Sequence, residues 1–136
     1  LTYSGHPASC AAGLATMDVL QNTSILESSA NHLAPYFAQA LVSLEDHPVV
    51  GQVRSKGLVA AVELVREKSS RERLAPDSAG AVYARDRAIE NGLMVRQTGD
   101  AMIMSPPFVT STEEVDALVS KLTLALDETA AFYNVK

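Results

Sequence analysis

The hydrophobic pattern of the chain changes period at His47-Pro48, and this change constrains the fold more than any other feature. Upstream, apolar residues recur every three or four positions, as on one face of a helix. These residues are Leu26, Ala30, Leu33, Phe37, Ala40, Leu41 and Leu44. Downstream, Leu58 to Leu64 has the alternation of a strand with one well-buried face, and Val49 to Ser55 is predicted to be its partner strand.

Two helix starts are predicted before this change. Proline suits a first helical turn, so we expect a helix from Pro7, where Ala8 to Leu20 is rich in alanine, leucine and methionine. This segment is apolar nearly all round, so it should contact protein on several sides. Ser24 and Glu27 have the spacing of a capping box, which predicts that the next helix begins there.

The second half of the chain is predicted to contain a loop and then a helix. Charged residues dominate from Arg66 to Pro76, which indicates a solvated loop. A helix should begin at Ser78 and end in a left-handed cap at Asn91-Gly92. Its inward residues are predicted to be Ala79, Val82, Tyr83 and Ile89.

A hairpin and a final helix are predicted to follow. Leu93 to Gln97 and Ala101 to Ser105 have the pattern of two strands joined at Thr98-Gly99-Asp100. Thr110 and Glu113 have capping spacing for a last helix. The residues that this helix is expected to bury are Val115, Leu118, Leu122, Ala125, Leu126 and Phe132. The order of elements predicts an α+β fold, a small antiparallel sheet covered by helices on one face.

Composition excludes several classes of protein. The 136 residues are 47% hydrophobic and 20% charged, which describes a globular chain, and no apolar run approaches the roughly 20 residues of a membrane helix. The net charge of −5 argues against nucleic-acid binding. Cys10 is alone, so we expect a reducing compartment such as the cytoplasm and a small buried packing role for this residue. The three histidines lack metal-ligand spacing, so no metal site is predicted.

Four segments occur in a characteristic order along the chain. They are T-Y-S-G-H-P from Thr2 to Pro7, V-R-S-K-G-L from Val53 to Leu58, G-L-x-x-R from Gly92 to Arg96, and G-D-x5-P-P from Gly99 to Pro107. Together they resemble the C-terminal part of class III, fold-type-I aminotransferases, in particular omega-amino acid–pyruvate and amine transaminases. The resemblance covers essentially the whole chain. It implies that residues 1–22 link to a large domain and that residues 23–136 form the small domain.

The resemblance also implies a chemistry and a set of partners. Such enzymes use pyridoxal phosphate (PLP) to move an amino group between an amine or ω-amino acid and a keto acid such as pyruvate, and they form homodimers or tetramers. Thr2 would meet the neighbouring subunit's cofactor phosphate, and Leu1 would be a supporting wall. The Schiff-base lysine of the family precedes the Thr2 segment. We therefore expect the isolated chain to contain no catalytic residue, to bind PLP poorly and to be inactive.

Arg96 is the predicted substrate-binding residue. It lies at a strand tip beside a glycine-containing turn, where a guanidinium can grip a carboxylate with two hydrogen bonds. The other interpretation is a surface arginine that pairs with Asp100. Arg54 can bind a carboxylate or form a structural ion pair, and His6 is predicted to be structural.

Two other classes of function stay open at this point. One is a different fold-type-I activity, such as a racemase, aminomutase or decarboxylase. The other is a non-catalytic fragment that binds another protein through the apolar first helix.

Overall fold

The computed structural model describes residues 4–136, so the predictions for Leu1 and Thr2 lie outside the described residues. The helices are α1 (Pro7–Asn22), α2 (Ile25–Ser28), a π-helical turn (Ser29–Leu33), α3 (Ala34–Val42), a 3-10 turn (Ser43–Asp46), a second 3-10 turn (Pro76–Ser78), α4 (Ala79–Glu90) and α5 (Thr112–Tyr133). The strands are β1 (Val50–Lys56), β2 (Val59–Glu67), β3 (Glu72–Arg73), β4 (Arg96–Thr98) and β5 (Ala101–Met104).

The strands form one antiparallel sheet in the order β1-β2-β5-β4, with β3 added to the end of β2. The predicted hairpin around Gly99 is present, although its first strand begins at Arg96 rather than at Leu93. The predicted partner strand β1 joins β2 through a second tight turn at Gly57, and both glycines have the positive φ that such turns require. The predicted α+β architecture is confirmed. The short strand β3 lies inside the segment that the sequence predicted to be only loop, so that prediction is wrong for its last part.

One face of the sheet is covered by helices. The alternation predicted for β2 is confirmed, because Leu58, Ala60, Val62 and Leu64 are all buried. Met102 and Met104 of β5 continue this face. The helices cover it with side chains that are fully buried: Phe37 and Leu41 of α3, Ala84 and Ala88 of α4, and Val115, Leu122 and Leu126 of α5.

The apolar stripe predicted for the helix after Ser24, which spans α2, the π-helical turn and α3, is displaced at its start. Leu33, Phe37, Leu41 and Leu44 are buried as predicted, but Leu26 and Ala30 are exposed and Ser29 is buried in their place. The π-helical turn explains the error, because a π turn holds more residues than an α turn and rotates the preceding positions relative to the core. The predicted capping box at Ser24 is also wrong, since its side chain makes no cap hydrogen bond.

The face of α4 differs from the prediction. The buried residues are Gly80, Ala81, Ala84 and Ala88. Of the four residues predicted to face inward, Ala79 and Ile89 are exposed and Val82 and Tyr83 are only half-buried. Small residues occupy this face because the helix packs closely: a Cβ added at Gly80 would lie 2.8 Å from Leu74 Cδ2. The predicted stop at Gly92, with φ of 77°, is confirmed.

Helix α5 begins one residue later than predicted. Ser111 and Glu114 form the capping box instead of Thr110 and Glu113. Phe132 is 59% exposed, so its predicted burial is wrong. Its ring stacks on Tyr83 with centroids 4.3 Å apart, which places it at the border of the core rather than inside it.

Helix α1 has the predicted extent and buries none of its residues. Leu14 and Met17 are therefore exposed apolar side chains, and the predicted burial of Cys10 is wrong within the described chain. No helix among residues 4–136 combines the length and apolar character needed to cross a membrane.

Candidate substrate-binding face

The face of the sheet opposite the helices carries the predicted site residue. Strand register places Arg96 opposite Ile103, Ile103 opposite Ala61, and Ala61 opposite Arg54. Side chains that are directly opposite each other share one face, so these four residues form a row across the sheet. Three strand spacings put the Cα atoms of the two arginines about 14 Å apart. We call this surface the open face.

Local structure places Arg96 at the end of this row. Gly92 turns the chain out of α4, and buried Val95 anchors the segment on the core side. The next side chain, Arg96, is exposed and belongs to β4, the edge strand. No carboxylate among residues 4–136 lies within ion-pair distance of Arg96. The alternative pairing with Asp100 is not formed, because the Asp100 carboxylate lies 3.0 Å from the Nε atom of Arg73.

Arg96 lines a cleft of about 920 Å³ between the β4–β5 hairpin and the first half of α5. The cleft wall is largely apolar, with Ile103, Leu118 and Met94, whose side chain is 85% exposed. Two other charged residues line the cleft, and both are engaged: Glu114 accepts the Ser111 N–H at 2.8 Å, and the Lys121 ammonium donates to the Gly92 carbonyl at 3.0 Å. Among the described residues that line the cleft, Arg96 therefore carries the positive charge that can bind an anionic ligand.

Arg54 lies at the other end of the row and has a partner. Its Nη2 atom is 3.8 Å from Glu63 Oε2, and Arg71 approaches the other oxygen of Glu63 at 4.0 Å. The structure therefore shows the ion pair that was one of the two interpretations of Arg54.

The segment that follows Thr2 forms the start of α1. Gly5 has a φ of 75°, which makes the turn, and His6 is the N-cap residue. The Nδ1 atom of His6 accepts the Ser9 N–H at 3.4 Å. This contact supports the structural interpretation of His6.

Among residues 4–136, no lysine places an unengaged ammonium group in the cleft. Lys68 donates to the Glu45 carbonyl at 2.6 Å and Lys121 to that of Gly92, so both ammonium groups serve the local structure. Lys56 ends strand β1 and Lys136 is the last residue of the sequence. Across residues 4–136, no group of three or more histidine, cysteine or acidic side chains is arranged to hold a metal ion.

Comparison with known proteins identifies relatives. The family pattern of class III aminotransferases matches residues 1–126. Putrescine–pyruvate aminotransferase of Pseudomonas aeruginosa is 41% identical over 130 residues, which are 96% of this chain and 28% of the relative. The chloroplastic gamma aminobutyrate transaminase 3 of Solanum lycopersicum is 37% identical over 94% of this chain and 24% of its own length.

The fold agrees with these sequences. The omega transaminase of Pseudomonas jessenii in complex with PMP superimposes with a TM-score of 0.91 at 33% identity, over 98% of this chain and 29% of its own. The PMP-bound aminotransferase of Vibrio fluvialis gives a TM-score of 0.87 at 30% identity, over 96% and 29%. The chain thus spans less than a third of the length of these proteins. Sequence and fold together show that it belongs to the class III aminotransferases.

Proposed function

We propose that residues 23–136 are the small domain, and residues 1–22 the link to the large domain, of a PLP-dependent aminotransferase that transfers an amino group between an amine or ω-amino acid and a keto acid such as pyruvate. Its family and its relatives, named for putrescine, pyruvate and gamma aminobutyrate, support this assignment. PLP, when bound by the whole enzyme, supplies the electron sink for the reaction. The residues of this chain supply binding and orientation.

One observation carries the proposal: the Arg96 guanidinium is exposed on an apolar cleft without a carboxylate partner among residues 4–136. A planar guanidinium binds a carboxylate through two parallel hydrogen bonds. Arg96 is therefore the group that grips the carboxylate of the keto acid and orients its carbonyl carbon.

The same wall suits substrates without a carboxylate. Arg96 lies on an edge strand and has no ion pair to break within the described residues, so its side chain can turn toward solvent when an uncharged group enters. The apolar side chains of Ile103, Leu118 and Met94 then remain as the contact surface. One pocket can in this way accept a simple amine in one half-reaction and a keto acid in the other.

The proposal also includes an assembly. Thr2, which lies outside the described residues, would donate its hydroxyl and N–H groups to the cofactor phosphate of a neighbouring subunit. This role requires a homodimer or tetramer, in keeping with the family resemblance. A cytoplasmic location agrees with the single cysteine.

The test is substitution of Arg96 by alanine in the full-length enzyme. A charge-assisted hydrogen-bond pair contributes about 1.5–3 kcal/mol, so kcat/KM for pyruvate should fall by about 10- to 150-fold. Steady-state kinetics should show a much smaller change for a simple aldehyde acceptor and for a simple amine donor. Arg85→Ala is the matched control, because Arg85 pairs with Asp86 on α4. Equal losses with pyruvate and the aldehyde would contradict the role of Arg96.

A further inference from the structure

The carboxylates near Arg96 are held by other arginines. Asp100, at the turn of the β4–β5 hairpin, lies 3.0 Å from Arg73. Glu63, on the open face of β2, lies within 4.0 Å of both Arg54 and Arg71. The basic residues of the 66–73 segment thus have a specific placement that a solvated loop alone does not explain.

Backbone contacts hold both members of the Arg73–Asp100 pair beside the same strand, β2. Arg73 belongs to β3 and lies opposite Val65 of β2. The Asp100 carbonyl accepts the N–H of Leu64, also in β2, at 2.8 Å. Asp100 is the less exposed partner, with 18% of its side chain accessible, against 67% for Arg73. Removal of Arg73 would therefore leave a partly desolvated carboxylate without its cation.

That carboxylate would lie close to the predicted substrate site. Arg96 is opposite Ile103, and Asp100 is three residues before Ile103, so the two positions are separated by about 10 Å along the strand. The aspartate side chain is short, so the two groups interact through space at this range rather than by direct contact. An unneutralised Asp100 would attract the Arg96 guanidinium, and it would also repel an incoming carboxylate.

We propose that Arg73 is a positioning residue for the carboxylate site: by holding Asp100 it keeps Arg96 available for the keto acid. The proposal rests on the proposed function of Arg96. It assigns a role to β3, a two-residue strand whose placement brings Arg73 to the turn of the hairpin. Arg73 acts through Asp100 and does not itself touch the substrate.

The test compares three variants of the full-length enzyme: Arg73→Gln, Arg73→Gln combined with Asp100→Asn, and the control Arg85→Gln. The first should raise the KM for pyruvate about two- to tenfold, as expected for one unbalanced charge at this distance, and the rise should shrink at high salt. The kcat and the KM for a simple amine should stay at the wild-type values. The double variant should restore the KM for pyruvate, since it removes the carboxylate that Arg73 neutralises.

Three results would overturn the positioning role: an unchanged KM for pyruvate in Arg73→Gln, no restoration in the double variant, or an equal effect of Arg85→Gln. The Arg96→Ala experiment separates this proposal from the one it rests on. A loss selective for carboxylates in Arg96→Ala, together with a silent Arg73→Gln, rejects only the role of Arg73. A non-selective loss in Arg96→Ala rejects both.

Discussion

Replacement of Gly51 by alanine tests how tightly strands β1 and β2 are packed. Gly51 lies at the register shift between Val50 and Gln52, where β1 meets the end of β2. A Cβ atom added there would lie 2.6 Å from Val65 Cγ1 and 2.9 Å from Val65 Cγ2. Val65 is 2% exposed, and its branched side chain is stiff at χ1, so it cannot move aside freely.

Two opposing effects set the size of the change. Overpacking of a buried site typically costs about 1–3 kcal/mol. Gly51 has no left-handed backbone conformation, so alanine also lowers the entropy of the unfolded chain, a gain of about 0.4–1 kcal/mol. The steric clash outweighs this entropic gain, and we expect Gly51→Ala to lower the free energy of unfolding by about 1–2 kcal/mol.

Urea unfolding of the 136-residue chain measures this difference, with a shared m-value as the check that both proteins unfold alike. Gly13→Ala is the control, because Gly13 has no heavy atom within 4 Å of its added Cβ and should gain up to about 1 kcal/mol of helix stability. Val65→Ala removes both clashing methyl groups. The double variant Gly51→Ala/Val65→Ala should therefore be more stable than the sum of the two single effects predicts. Additive effects, or a Gly51→Ala variant as stable as the wild type, would refute the packing argument.

Two further predictions concern the start of α5. Ser111→Ala removes the side chain that accepts the Glu114 N–H at 3.2 Å and should cost about 1 kcal/mol in urea unfolding, whereas Thr110→Ala should cost clearly less; equal costs would contradict the observed cap. The backbone N–H of Glu113, and then the hydroxyls of Ser111 and Thr112, hold the pKa of the Glu113 carboxyl below its ordinary value. The stabilisation from the ionised form is present at neutral pH and is lost as the pH falls through the folded-state pKa, so Glu113→Gln should lose less stability than the wild type on acidification. Urea midpoints measured from neutral to acidic pH check this, and identical acid profiles would count against it.

Much of the fold could be predicted because its signals are local. The alternation from Leu58 to Leu64 and the turn at Gly99 are properties of neighbouring residues, and both were predicted correctly. The inward face of α4 was not, because it depends on how closely the helix approaches Leu74. Bulky residues of α4 were predicted to face inward, although only small residues fit so close to Leu74.

The residues of the candidate site also differ in whether local sequence signals predict them. Arg96 could be named as a candidate from the sequence, since its place in a short strand near the Gly99 turn is a local feature, although it begins that strand rather than ending it. The partner of Asp100 could not, because Arg73 reaches it through a two-residue strand that no periodic pattern announces. The π-helical turn also has no periodic signal, because it shifts the buried positions of the helix by one residue without any change in residue types.

Register is what gives Arg96 its place on the open face. A slip of one residue between β4 and β5 would turn Arg96 toward the helices and Gln97 toward the open face, because successive side chains in a strand alternate. Three features prevent such a slip: the tight turn at Gly99, the hydrogen bond from the Gln97 side chain to the Gly99 carbonyl, and that from Leu64 N–H to the Asp100 carbonyl. The hairpin turn therefore determines both the direction of the Arg96 guanidinium and the position of the Asp100 carboxylate that Arg73 holds.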